Sequence, residues 1–209
     1  MSNTPELWTA TYDAQTADEL AEAYKNWAGE YDRDTLDTMG YVGPHVAAAM
    51  LDYHLDSKKS RVLDAGCGTG LVGEHLHRMG YQNVDAMDFS EAMLDEAEKK
   101  GVYRQLLQKD LNQQLDIPDD SYDATICVGT FTYAHVGPHV LEELVRVTRP
   151  GGHICFTIRD GVYKEQGYRS KMLQMESCAK WELQELREHD YLIKENVSAK
   201  FCTYKVLEN

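Results

Sequence analysis

The chain has 209 residues, 43% of them apolar, with 35 acidic against 21 basic side chains and a formal net charge of −14. That length suits one good core, and the acidic balance excludes duplex nucleic acid from the expected partners. The longest apolar run, residues 46–51, is mostly alanine and far too short to span a membrane; no signal peptide is read at the N-terminus.

In chain order, Thr16 or Asp18 caps a first helix running to about residue 28. Leu20, Tyr24, Trp27 and Tyr31 form a stripe at helical spacing, a pattern that serves core packing as well as function. A second helix is predicted over about 42–55. Five short apolar runs follow as strands, at 62–65, 83–87, 103–108, 122–128 and 153–158. Helical patterns near 71–79, 90–100 and 138–147 alternate with them, and Pro138 stands where the last should start. Such alternation predicts a parallel sheet covered on both faces. The tail reads as a helix near 163–178, then two strands beginning at Trp181 and Phe201 joined through 190–200, so the final strand runs antiparallel. A helix over 181–189 is the alternative.

The five cysteines (67, 127, 155, 178 and 202) include no C-x-x-C pair, so no metal site is expected, and a reducing cytosol is.

The most informative segment is Arg61-Val-Leu-Asp64-Ala-Gly66-Cys-Gly68-Thr-Gly70, a strand, an acid and three alternating glycines before a helix. Glycine lets the backbone turn sharply and lie close to a ligand. Gly68, Gly70 and Gly73 also spell the dinucleotide fingerprint, with Asp88 about 20 residues on. The register starting at Asp64 is fuller because it accounts for the acid, which suits a cationic ligand better than a pyrophosphate. The tail is also short for a separate hydride-acceptor domain.

Asp64-x-Gly66-x-Gly68-x-Gly70, Asp88 after the second strand, Asp110-Leu111 after the third and Arg149-Pro150-Gly151-Gly152 before the fifth together resemble the class I S-adenosylmethionine-dependent methyltransferases over about residues 60–160. The flanks, Tyr24-Lys-Asn-Trp27-Ala-Gly-Glu-Tyr31-Asp32 and Tyr204-Lys-Val-Leu, are similar to the small methyltransferase-like proteins named after the Williams–Beuren syndrome region. The resemblance implies an α/β, Rossmann-like sheet of seven mostly parallel strands with an antiparallel last strand and helices on both faces. It implies one domain over 1–209: a helical lid (1–57), a cofactor-binding core (58–160) and a C-terminal helix and strand pair (161–209).

S-adenosyl-L-methionine is the implied cofactor and S-adenosyl-L-homocysteine its product. Gly66, Cys67 and Gly68 would approach the methionine part and ribose, and Asp88 would take the ribose hydroxyls. Phe89 and Met93 would flank the adenine, Asp110 and Leu111 would bind its edge, and Val128 would line the same pocket. Tyr24, Trp27 and Tyr31 would belong to a lid over the methionine end. Plainer roles stay open: Asp88 as support for a helix start, Phe89 as core, Asp110 as a turn acid, and Pro150-Gly151-Gly152 as a turn only.

Methyl transfer to N, O or S of a small metabolite is the expected activity. A cofactor-binding regulator without turnover and a protein methyltransferase are the alternatives. His135, past the fourth strand, is the candidate base, with a solvent-exposed histidine as its plainer reading. Tyr133, Arg159 and Tyr163 are the candidate substrate contacts; Arg159 would clamp a carboxylate or pair with Asp160. Asp190 and Tyr191 would complete the pocket. Oligomeric state stays open.

Overall fold

A computed structural model of the chain describes residues 6–14, 16–132 and 136–208. The seven strands are β1 (Val62–Ala65), β2 (Val84–Asp88), β3 (Gln105–Gln108), β4 (Tyr122–Phe131), β5 (Thr148–Arg159), β6 (Trp181–Leu192) and β7 (Val197–Val206). They form one sheet in the order β3-β2-β1-β4-β5-β7-β6. β1 to β5 are mutually parallel, and β7 runs antiparallel to both β5 and β6. β1 has β2 on one side and β4 on the other, so the strand order reverses there, and the carboxyl ends open into a crevice.

Alternation of side chains supplies two cores. Leu63, Cys127, Ile154 and Phe156 face α6 (Val140–Val147) and α8 (Tyr168–Ser177). Val62, Ala124, Ile126 and Cys155 face α3 (Gly43–His54) and α4 (Leu71–Arg78). Before the sheet come α1 (Glu6–Asp13) and α2 (Ala17–Asp32); α5 (Glu91–Lys100) follows β2. The Thr16 hydroxyl accepts from Glu19 N at 3.2 Å and caps α2. The first helix outruns its predicted end, continuing through a π-helical stretch, Arg33–Met39, that closes at Gly40 with φ 69°. α2 packs against α5, which brings the N-terminal segment over the crevice.

Several boundaries differ from the sequence expectation. Pro138 lies in the turn before α6, which starts at Val140 behind His139. Arg149-Pro150-Gly151-Gly152 is part of β5 and not a separate turn: β5 starts at Thr148 and absorbs an irregular register opposite Tyr122 and Ala124. The predicted helix over 163–178 is two helices, α7 (Val162–Glu165) and α8, parted at Gly167 with φ 80°. The tail strands are longer than expected because their reversal is compact: one 3₁₀ turn, Ile193–Glu195, then Asn196 at φ 53°. Residue 181 onward is strand, so the helical alternative is set aside. Among the described residues no helix is long and apolar enough to cross a membrane, and no group of three potential metal ligands occurs.

Candidate active site

β1 ends where Gly66 N and Cys67 N both donate to Met87 O, at 2.8 and 2.9 Å, pinning the glycine turn to β2. Gly66 has φ 75°, and a Cβ there would stand 2.3 Å from Thr130 Oγ1. Gly68 differs: at φ 53° its Cβ would meet nothing within 4 Å. Its backbone therefore borders open space on the ligand side. Gly73, the third glycine of the rival fingerprint, serves packing. A Cβ there would lie 2.2 Å from Cζ of Tyr103, whose hydroxyl accepts from Gly73 N at 3.1 Å.

That hydroxyl donates in turn to Asp64 Oδ2 at 2.6 Å. Asp64 is fully buried on the α4 side of β1, is not on the cavity wall, and its Oδ1 has no hydrogen-bond partner. The sequence reading has its charge suit a cationic ligand; from this position any effect on a cation acts through its field. Burial pushes the Asp64 carboxyl up from 3.8 to about 7, with the negative charge of Asp88 adding to the rise and the Tyr103 hydrogen bond opposing it. A carboxyl raised in the folded state holds a proton that the unfolded chain has released, so stability falls as pH rises from about 4 to about 7. Thermal melts should show the wild type losing stability relative to Asp64→Asn across that window; parallel curves would refute the assignment.

A cavity of about 250 Å³ opens above the turn. At roughly 10–15 Å³ for a single water, it is a cavity for a ligand of many atoms and not a hydration site. Gly66, Cys67 and Gly68 form its floor. Asp88, Phe89 and, one turn into α5, Met93 come from the end of β2. Asp110 and Leu111 enter after β3, and Val128 from β4. Tyr24 and Tyr31 descend from α2, with Tyr24 edge-on to Phe89 at 5.9 Å between ring centres.

Asp88 is 8% exposed; its Oδ2 accepts from Gly68 N and its Oδ1 from Ser90 N, both at 2.9 Å. Burial raises its pKa, and these backbone donors, with Phe89 N, oppose the rise. Its plainer role at the start of α5 is therefore present alongside its place on the wall. Asp110 Oδ1 accepts from Asn112 N at 2.9 Å, so the turn role is present there too.

Beside the main cavity lies a second chamber of about 40 Å³ that shares Tyr24, Tyr31, Tyr41 and Gly129 with it. Trp27 faces this chamber and not the larger cavity, because its Nε1 donates to buried Asp34 Oδ2 at 3.1 Å. Arg159 also lines the chamber, with its guanidinium 5.5 Å from the centre of the Trp8 ring. Tyr163 is on neither wall; α7 packs it half-buried against the apolar core. Tyr133 and His135 lie outside the described residues.

Tyr41 and Tyr191 are wall residues of this chamber, their hydroxyls 3.0 Å apart. The sequence singled out Tyr191 but gave no signal for Tyr41. The two are 150 positions apart, joined when Val42 N donates to Tyr191 O and Ile193 N to Gly40 O. Gly129, at φ 85°, leaves room for the Tyr41 hydroxyl, which would lie 2.8 Å from a Cβ there.

A polar latch fixes the end of α2. Asp32 Oδ1 accepts from Thr69 Oγ1 of the glycine turn, and Asp32 Oδ2 accepts from Lys100 Nζ at 2.7 Å. The same ammonium reaches Glu74 at 2.8 Å.

Residues 63–156 match the family model described as a methyltransferase domain. Sheet order, glycine turn and cavity define the protein as a class I S-adenosylmethionine-dependent methyltransferase. Methyltransferase-like protein 27 of Homo sapiens is 32% identical over 188 residues, covering 85% of this chain and 76% of the relative. The chain belongs to that family. It is also 31% identical over 160 residues to malonyl-[acyl-carrier protein] O-methyltransferase of Serratia marcescens, covering 76% of this chain and 60% of that protein's length. The structure of magnesium protoporphyrin IX methyltransferase from Synechocystis PCC 6803 with bound S-adenosylmethionine is similar at TM-score 0.63 and 17% identity, over 97% of this chain and 90% of its own.

Proposed function

We propose that the protein transfers a methyl group to N, O or S of a small metabolite, with the donor in the larger cavity and the acceptor in the second chamber. The wall fits the donor. Gly68 leaves open space where a side chain would stand, and Asp88 offers carboxylate oxygens for ribose hydroxyls. Phe89 and Met93 offer flat and polarizable surface to adenine, and Asp110 and Leu111 its polar edge. Tyr24 and Tyr31 cover the methionine end as part of a lid made by the N-terminal helices.

The donor's sulfonium supplies an already activated methyl group. What remains for the protein is to hold the acceptor in line and keep water out. The observation carrying the small-acceptor reading is the chamber itself: it adjoins the donor cavity through shared tyrosines and is only about 40 Å³. His135, four positions past the end of β4 in the sequence, is the proposed base for an acceptor that must lose a proton. The buried thiols of Cys67, Cys127, Cys155 and Cys202 support a reducing, cytosolic setting.

Titration calorimetry tests the donor assignment. S-adenosylmethionine and S-adenosylhomocysteine should bind and NAD should not; tight NAD binding would overturn it. Incubation with methyl-labelled donor and a metabolite extract, read by mass spectrometry, should yield a labelled small product. His135→Ala should slow its formation while leaving donor affinity intact. Label found only in protein would defeat the small-acceptor reading, and unchanged turnover in the variant would remove His135 as base.

A further inference from the structure

We infer that Asp64 lets the site tell the charged donor from its spent product: the buried carboxyl gives up its proton to solvent when the sulfonium ligand enters the cavity, and keeps it when the thioether does. This rests on the donor placement proposed above. The two ligands differ only by a methyl group and the positive charge it leaves on sulfur. Wall contacts to the ribose, adenine and amino acid parts are therefore common to both, whereas a titrating group behind the wall responds to the charge.

Asp64 is placed to respond. It lies in β1 two positions before Gly66, whose backbone with Cys67 and Gly68 floors the cavity, and its side chain is fully buried. Tyr103 donates to its Oδ2 at 2.6 Å, and Gly73 N, in the first turn of α4, also favours its charge. The thiols of Cys67 and Cys127 and the carboxyl of Asp88 also feel its charge. Burial pushes both thiols up, so Asp88 is the charged neighbour, and its sign is the same. Cations of the adjoining segments are engaged elsewhere: Arg61 and Arg104 with Asp85, and Lys100 with Asp32 and Glu74.

Which of the two buried carboxyls holds a proton follows from their bonds. Asp88 accepts from Gly68 N and Ser90 N, and Phe89 N also favours its charge. Asp64 has one oxygen bonded to a phenol and Oδ1 without a partner. An ion so placed loses its hydration with little in return, so the proton resides on Asp64, whose carboxyl is pushed up to about 7. A cation above the floor favours the ionised form and draws that value down; a neutral sulfur does not. By linkage, binding that lowers a pKa releases a proton and is weakest where the group is protonated. Donor affinity therefore falls as pH drops below about 7 while product affinity holds, and acidification favours retained product over fresh donor.

The test is titration calorimetry of the full chain with S-adenosylmethionine and with S-adenosylhomocysteine, in two buffers of different ionisation enthalpy, which counts the protons released. At about pH 6.5 the amino groups of both ligands stay protonated. The donor should there release about half a proton more than the product, the amount expected when a carboxyl moves from about 7 to about 6. The ratio of donor to product affinity should rise about tenfold between about pH 5 and about pH 8. Asp64→Asn keeps an acceptor for the Tyr103 hydroxyl; it should release equal amounts with both ligands and hold the ratio within about twofold. Tyr103→Phe removes a bond that opposes the rise, so its transition should move to higher pH. The wild-type proton count and the Tyr103 variant decide the matter even where the asparagine variant does not fold. Equal proton release by both ligands in the wild type, a donor excess that persists in Asp64→Asn, or a transition unmoved in Tyr103→Phe would overturn the inference. Failure of both ligands to bind would strike the underlying donor placement instead.

Discussion

Asp88→Ala should reduce affinity for S-adenosylmethionine by two to four orders of magnitude. A carboxylate bonded to two hydroxyls contributes about 1.5–3 kcal/mol through each bond, or about 3–6 kcal/mol in total. Asp88 also organises the wall it belongs to. Its two oxygens hold Gly68 N and Ser90 N, so its removal loosens the glycine turn and the start of α5 together. Asp88→Asn keeps one acceptor oxygen and nearly the same volume, and should lose only about tenfold. Calorimetry on both variants checks the ordering. Affinity within threefold of wild type for Asp88→Ala would mean that the donor lies elsewhere.

Gly68→Ala and Gly73→Ala should fail in opposite ways. At position 68 the new methyl group meets no protein atom, and the left-handed φ of 53° costs only about 1–2 kcal/mol. That variant should fold and lose donor binding, because its methyl group enters the space the donor needs. At position 73 the methyl group would stand 2.3 Å from the Tyr103 hydroxyl oxygen. Tyr103 must then swing away, leaving Asp64 buried with neither oxygen bonded. Leaving a buried carboxyl without its hydrogen bond costs about 1–3 kcal/mol, against the 5–15 kcal/mol typical of a whole domain. The melting temperature of Gly73→Ala should therefore drop by roughly 2–12 °C. An unchanged melt for Gly73→Ala, or wild-type donor affinity for Gly68→Ala, would refute this division of roles between the glycines.

Locally encoded features were legible in the chain alone. β1 through β5 announce themselves as short apolar runs, and Gly66, Gly68 and Gly70 as positions of positive φ. Asp88, Phe89, Met93, Asp110 and Leu111 follow strand ends by fixed short offsets, so knowing the strands was enough to bring them to one wall. Features made by distant segments were not legible. Tyr41 reaches Tyr191 only because β6 returns beside the segment after α2, and no periodicity reports that. The stripe Tyr24, Trp27, Tyr31 was visible as a stripe, but Asp34 decides that Trp27 turns from the larger cavity. Arg149-Pro150-Gly151-Gly152 has the composition of a turn, yet it lies within β5 as the irregular stretch between Thr148 and His153, the residues that pair with β4. Gly73 belongs to the rival fingerprint that the fuller Asp64 register displaces, and the neighbour it accommodates is Tyr103.

The Asp32 bridge has a consequence for the working cycle. Its carboxylate ties α2 both to the glycine turn, through Thr69, and to Lys100 at the end of α5, so on the proposed donor placement any movement of α2 away from the cavity breaks both ties. Turnover would then include a mechanical stage distinct from the chemical one, in which an ion pair comes apart and re-forms.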